Sequence, residues 1–386
     1  MRKVYLDNSA TTRVRPEVAE LVAHYMTESF GNPSSLHSFG RENRAALDQA
    51  RERMAAAIGA ETREVYFTGG GTESDNLAIL GVAAGNEKKG RHIVTSTIEH
   101  HAVLDCCKHL EKNGFEVTYV PADRDGIIAV EDFEQALRED TILASIMHVN
   151  NEVGTIQNIS EMGKIARERK IIFHTDAIQS LGKINVDVND LNVDLLSVSS
   201  HKIYGPKGVG ALYIRRGARV LPRSFGGSQE RRRRPGTENL PGIVGLGLAA
   251  ELAVRELKEE GEKILRLRER LIDGVLGKIP HTYLNGHREK RIPGNANISV
   301  EFIEGEGVLL YLDMKGVAIS TGSACTSGTL DPSHVLTAMG LSQELAHSSL
   351  RMTPGRENTE EDIDYVLEVL PEVVDKLRAM SPFYKK

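Results

Sequence analysis

Asp194-Leu195-Leu196-Ser197-Val198-Ser199-Ser200-His201-Lys202-Ile203-Tyr204-Gly205-Pro206-Lys207-Gly208 runs from an apolar stretch straight into a turn of Ser, His, Lys and Gly. A short apolar run bounded by turn residues reads as a strand buried on both faces, as in a parallel sheet. Upstream, Ile171-Ile172-Phe173-His174-Thr175-Asp176 is a second such run, and it closes on an aspartate. Asp176 and Lys202 are therefore both expected where strands end. In open α/β sheets, ligands bind beyond the carboxyl ends of the strands.

Working outward, further strand-like runs stand at 65–67, 92–95, 117–120, 142–147 and 211–214, separated by helical patterns such as 72–86, 101–112 and 159–169. This alternation predicts an α/β fold, a mostly parallel sheet covered by helices on both faces. A long helical pattern from 243 to 276 leads out of it, and short strands (296–300, 316–319) then mix with helices (307–314, 359–380) in an α+β pattern. The expected organisation is a large domain over 15–258 and a smaller one built from 1–14 and 259–386.

The composition is that of an ordinary soluble globular protein: 386 residues, 40% hydrophobic, 26% charged, net charge −6. Nothing in it favours nucleic acid, and no apolar stretch approaches the roughly 20 residues of a membrane span. The N-terminus lacks the apolar region of a signal peptide, so a cytoplasmic location is expected. Cys106 and Cys107 lie side by side in a helical pattern and read as packing residues, since adjacent helical positions diverge by about 100°.

A lysine and an aspartate at neighbouring strand ends suit pyridoxal phosphate, which needs an amine for its aldehyde and a carboxylate for its pyridine nitrogen. Thr68-Gly69-Gly70-Gly71-Thr72 follows one strand and opens a helix, so Gly71 and Thr72 are placed to hold a phosphate, with Ser199 and His201 as further donors. The turn has no Walker lysine and does not match Gly-x-Gly-x-x-Gly. His100 follows another strand; it reads either as an imidazole stacked on the cofactor ring or as a helix cap. Asn151 and Gln179 are candidates for hydrogen bonds to the ring oxygen. Arg231-Arg232-Arg233-Arg234 faces a cofactor mouth or an acidic partner, or is a solvated loop.

Over nearly its whole length the chain resembles the pyridoxal-phosphate-dependent cysteine desulfurases of iron–sulfur cluster assembly. The motifs that carry the resemblance are Thr72-Glu73-Ser74-Asp75-Asn76, Glu99-His100, His148-Val149-Asn150-Asn151-Glu152, Asp176-Ala177 with Gln179-Ser180, Ser200 to Gly208, Gly236-Thr237-Glu238-Asn239, and Gly322-Ser323-Ala324-Cys325-Thr326-Ser327. The resemblance implies the transferase fold type I of pyridoxal 5'-phosphate enzymes and a homodimer. It implies that Lys202 holds the cofactor, Asp176 pairs with its ring nitrogen and His100 stacks on it. Gly71, Thr72, Ser199 and His201, with the partner subunit's Thr237, would hold the phosphate, and Asn151 and Gln179 the ring oxygen. Arg351 would take the substrate carboxylate, with Asn151 beside it.

Cys325 matches the sulfur-accepting nucleophile, set among small residues in a loop. The implied reaction converts L-cysteine to L-alanine and leaves a persulfide on Cys325 for an iron–sulfur scaffold protein. Cys325 is also a candidate iron–sulfur ligand together with a partner. Gly69-Gly70-Gly71 and Arg234-Pro235-Gly236 depart from the family pattern, which has Ser-Gly-Ala and Arg-Ser-Gly there. Two other readings remain: selenocysteine lyase on the same fold, and a non-catalytic assembly protein.

Overall fold

A computed structural model of the chain describes residues 2–321, 331–382 and 384. The chain opens with β1 (Val4–Tyr5), α1 (Pro16–Thr27) and α2 (Ser38–Ala57). There follow β2 (Val65–Thr68), α3 (Gly71–Asn86), β3 (His92–Ser96), α4 (His101–Glu111) and β4 (Glu116–Val120). Next come α5 (Val130–Ala136), β5 (Thr141–Ser145), α6 (Ile159–Glu168), β6 (Ile172–Asp176), β7 (Leu195–Ser199) and β8 (Gly210–Ile214). Then come α7 (Leu240–Arg255), α8 (Leu257–Lys278), β9 (Thr282–Leu284), β10 (Ala296–Val300), α9 (Gly305–Met314) and β11 (Val317–Ala318). The last elements are α10 (His334–Ala338), α11 (Gln343–His347), β12 (Ser349–Met352) and α12 (Glu360–Met380). Among the described residues, no helix is long and apolar enough to cross a membrane.

Among those residues the main sheet has 7 strands in the order β2-β8-β7-β6-β5-β3-β4. The pairs β3–β4, β3–β5, β5–β6 and β6–β7 are parallel. Only β8 is reversed, antiparallel to both β2 and β7. The α/β fold with a mostly parallel sheet is thus present, and β3, β5 and β7 are buried along their whole length. Because β8 reverses between them, β2 and β7 run the same way, so Thr68, Ser96, Asp176 and Ser199 all end their strands along one edge.

One core lies on one face of this sheet, with Phe67, Val94, Phe173 and Leu196 against Leu47 and Leu246 of α2 and α7. Another fills the opposite face under α3 and α4, around Ile79, Val103, Ile93 and Leu212. A separate core gathers Leu271, Ile298, Leu350 and Val366 around the antiparallel sheet β12-β10-β9. Val4 and Leu6 join this last core, while Val335, Leu336 and Ala346 return to the first.

The single long helix expected over 243–276 is two helices meeting at Glu256. The reason is packing: Leu252 and Ala253 bury in the first core, Leu267 and Leu271 in another, and one straight rod cannot face both. At the joint, Arg15 donates to Glu256 (2.6 Å) and Glu260 (2.9 Å), pinning the junction to the N-terminal segment.

The arginine run is not simply solvated. Arg231 and Arg233 lie over the buried Tyr66 ring at 4.1 and 4.6 Å, and Arg234 pairs with Glu73 at 2.9 Å. Glu230, Arg231 and Arg232 all take positive φ (42, 53 and 65°). That conformation costs about 1–2 kcal/mol per non-glycine residue. It is held by the buried Glu230 carboxylate, which accepts from Arg51 at 2.6 and 2.8 Å and from the Phe67 amide at 2.9 Å. Removing one partner of a buried ion pair strands the other, so Glu230→Ala should destabilise the protein by about 3–5 kcal/mol. Urea unfolding of the variant against the parent measures this.

Candidate active site

Lys202 ends the one-turn 3-10 helix Ser200–Lys202 that follows β7. Its Nζ donates to the carbonyl oxygens of Ser9 (2.6 Å) and Ala10 (2.7 Å). Those carbonyls lie in the segment after β1, which is tied to the same turn: the Thr12 amide donates to His201 O (2.9 Å) and the Arg15 amide to Tyr204 O (3.0 Å). Ser9 O also accepts from Gln179 Nε2 at 3.0 Å, and Gln179 Oε1 accepts from Lys183 Nζ. Both ends of the Gln179 amide are therefore engaged with protein.

Asp176 closes β6, 5% exposed, and its Oδ1 accepts from the Ile178 amide at 2.8 Å. Burial pushes its carboxyl upward, against the Ile178 amide and the positive charge of Lys202. His100 stands half-buried at the N-terminus of α4, where its Nδ1 accepts from the Ala102 amide at 3.1 Å. The capping role is thus real, and it fixes the ring near Lys202. Desolvation, helped by Lys202 and His101, lowers the imidazole to about 4, so it is neutral at pH 7, with its Nδ1 lone pair on the Ala102 amide and its proton on Nε2. His201 is also lowered to about 4, by desolvation with Lys202, Lys207 and Lys183 nearby, and its Nδ1 meets Thr11 Oγ1 at 3.2 Å.

Arg351 enters from β12, 1% exposed. Its guanidinium donates to Asp7 Oδ1 (3.1 Å) and to the backbone oxygen of Asn151 (3.2 Å). Gly71 is the first residue of α3 and faces Ser199: a Cβ built on it would lie 3.5 Å from Ser199 Cβ and 2.2 Å from Ile178 Cδ1. Gly70, just before it, has φ 149° and ψ −177°, a region open essentially to glycine alone. The three-glycine departure thus leaves α3 pointing a bare N-terminus at Ser199.

The chain matches the aminotransferase class-V family over residues 4–366. The chain belongs to that family. Within it, a relative called cysteine desulfurase IscS, from Methanosarcina thermophila, is 57% identical over 385 residues, covering 100% of this chain and 95% of the relative. A solved structure described as a NifS-like protein superposes with TM-score 0.92 at 39% identity, covering 97% of this chain and 100% of that one. Another, described as SspA in complex with cysteine, gives TM-score 0.83 at 38% identity over 92% of this chain and 100% of that one.

A class-V aminotransferase of the cysteine desulfurase kind implies a pyridoxal-phosphate enzyme, and the residues present fit such a group. Asn151 Oδ1 and His148 Nδ1 are buried without a hydrogen-bond partner beside the strand ends. The first amides of α3 have no partner within the helix, and its dipole favours an anion there. Asp176 and Lys202 bring a carboxylate and an amine into one enclosed place.

Among the other expected site residues, Thr72 is exposed on the first turn of α3, and Thr237 is exposed on the loop before α7. Cys325 lies outside the described residues. Cys106 and Cys107 pack in the core under α4 as expected, with burial pushing the Cys106 thiol up to about 12. Among the described residues, no three His, Cys, Asp or Glu side chains come together in a way that could hold a metal ion.

The sequence reading missed Asp7, the carbonyls of Ser9 and Ala10, and Lys183. Desolvation, with repulsion from Lys202 and Arg351, lowers Lys183 to about 7. Two buried acids, Glu99 and Glu152, stood in the motifs above without a role of their own. Glu99 is raised to about 8 by burial, and Glu152, which accepts from Ser333, to about 7. No local signal marks their shifted acidity, because it comes from desolvation by distant elements.

Proposed function

We propose that this chain converts L-cysteine to L-alanine and passes the sulfur, through a persulfide on Cys325, to iron–sulfur cluster assembly. The observation that carries the reading is the convergence of the Lys202 amine, the Asp176 carboxyl, the His100 imidazole and the Arg351 guanidinium. They come from two sheets and the turns beyond them. A guanidinium beside an amine suits a substrate with a carboxylate and a primary amine on one carbon.

Lys202 would hold pyridoxal 5'-phosphate, Asp176 its ring nitrogen, and Gly71, Thr72, Ser199 and His201 its phosphate, with the partner subunit's Thr237 in a homodimer. When bound, the cofactor supplies an electron sink that makes the substrate Cα–H acidic. Arg351 binds the carboxylate, exchanging or sharing its contact with Asp7. Lys202 takes the Cα proton, and His100, once its Nδ1 lone pair leaves the Ala102 amide, accepts the proton of a thiol or amine. The Cys325 thiolate attacks the substrate sulfur, an S–S bond forms, the Cβ–S bond breaks, and Cβ gains a proton. One cysteine and one enzyme thiol thus become one alanine and one persulfide. Residues 15–258 would form the cofactor-binding unit, and 1–14 with 259–386 the smaller unit that brings Arg351 and Cys325.

Purified protein given L-cysteine and a reductant should release alanine and sulfide in equal amounts. A Cys325→Ala variant should bind the cofactor normally and lose sulfide release. Persulfide and alanine formation at the parent rate in that variant would overturn the nucleophile assignment.

A further inference from the structure

Asp75, in the first turns of α3, is 0% exposed, and neither of its carboxyl oxygens has a hydrogen bond of good geometry, the Ser197 hydroxyl making only a weak contact. Its nearest ring is His174 Nε2, 3.6 Å from Oδ1. That imidazole is already shared between two hydroxyls, Ser145 Oγ at 2.8 Å from Nδ1 and Ser197 Oγ at 3.0 Å from Nε2. Burial lowers His174 to about 3, so it brings no positive charge. His174 and Asp176 are two residues apart on β6 and share one face of the sheet. The groups facing Asp75 are Asp176 and His174 from β6, Ser197 from β7, Glu99 before α4, and Cys106 on α4. None of them is a cation at neutral pH.

We propose that Asp75 is a positioning residue, a neutral carboxylic acid lodged behind Asp176 whose retained proton leaves the negative charge on Asp176. Two carboxyls in one enclosed place cannot both ionise freely, and the pair titrates together. The geometry decides which one keeps the proton. Asp176 has the Ile178 amide and the nearby Lys202, whereas Asp75 has no donor of good geometry. Accordingly, burial and the Asp176 charge hold Asp75 well above the carboxylate range, with Ser197 opposing only in part. The proposal rests on the reading that Asp176 serves the cofactor's ring nitrogen.

The test uses the cofactor-loaded protein labelled with 13C at the aspartate side-chain carboxyl, as parent and as Asp75→Asn. Infrared spectra at neutral pH should show a protonated aspartate carboxyl in the parent that is missing from Asp75→Asn. At alkaline pH, kcat of the parent should fall relative to the variant by up to about tenfold per pH unit, the limit for one proton. An amide cannot ionise, so the variant should lack that limb. Parallel pH profiles, or a protonated signal that survives in Asp75→Asn, would overturn the proposal. Should the variant not fold, the parent spectrum still decides, since the absence of any protonated aspartate is fatal to the idea. The infrared signal also reports Asp75 whether or not the protein makes alanine, so the two readings fail separately.

Discussion

Lys202→Ala is expected to lower kcat by about 10²–10⁴-fold, the scale of losing a positioned acid–base group. It should also abolish trapping of pyridoxal phosphate on the protein by borohydride. Lys202 Nζ is aimed by the Ser9 and Ala10 carbonyls at 2.6 and 2.7 Å, and no neighbour can take its place. Lys183 is a second amine with a lowered pKa, but its Nζ is tied to Gln179 Oε1. His100 is an imidazole and offers no primary amine. Steady-state kinetics and mass spectrometry after borohydride measure both effects. An adduct that persists in Lys202→Ala, carried by Lys183, would remove Lys202 from its assigned place.

Arg351→Gln is the second large effect. A substrate carboxylate on this guanidinium would make charge-assisted hydrogen bonds worth about 1.5–3 kcal/mol each. Losing two of them lowers kcat/KM by about 10²–10⁴-fold at 1.4 kcal/mol per decade. Because the carboxylate does not react, the loss should fall mainly on KM. The parent should discriminate strongly against cysteamine, which lacks the carboxylate, and Arg351→Gln should not. The variant also leaves Asp7 without its 3.1 Å partner, so thermal unfolding is needed to confirm that the protein remains folded. Unchanged discrimination would mean that Arg351 serves Asp7 and Asn151 structurally rather than the substrate.

Much of this site was legible in the chain because each strand end carries its own local signal. The apolar run 195–198 breaking into Ser199-Ser200-His201-Lys202, and 171–176 closing on Asp176, place both residues on one edge once the strands are parallel. Gly71 and His100 were legible for the same reason, since each opens a helix directly after a strand. The break at Glu256 was hidden, because the helical pattern is continuous across it and only the two cores reveal why it turns.

Local chemistry alone determined the α/β alternation, the strand-end positions of Lys202 and Asp176 and the glycine turn that opens α3, since periodicity and turn residues act over a few positions. Tertiary structure alone decided that Ser9 would hold Lys202 across 193 residues and Asp7 would hold Arg351 across 344. It also decided that Asp75, Glu99 and Lys183 would sit where water cannot solvate their charges. Desolvation belongs to the packed assembly of elements rather than to any one of them, so no stretch of sequence announces it.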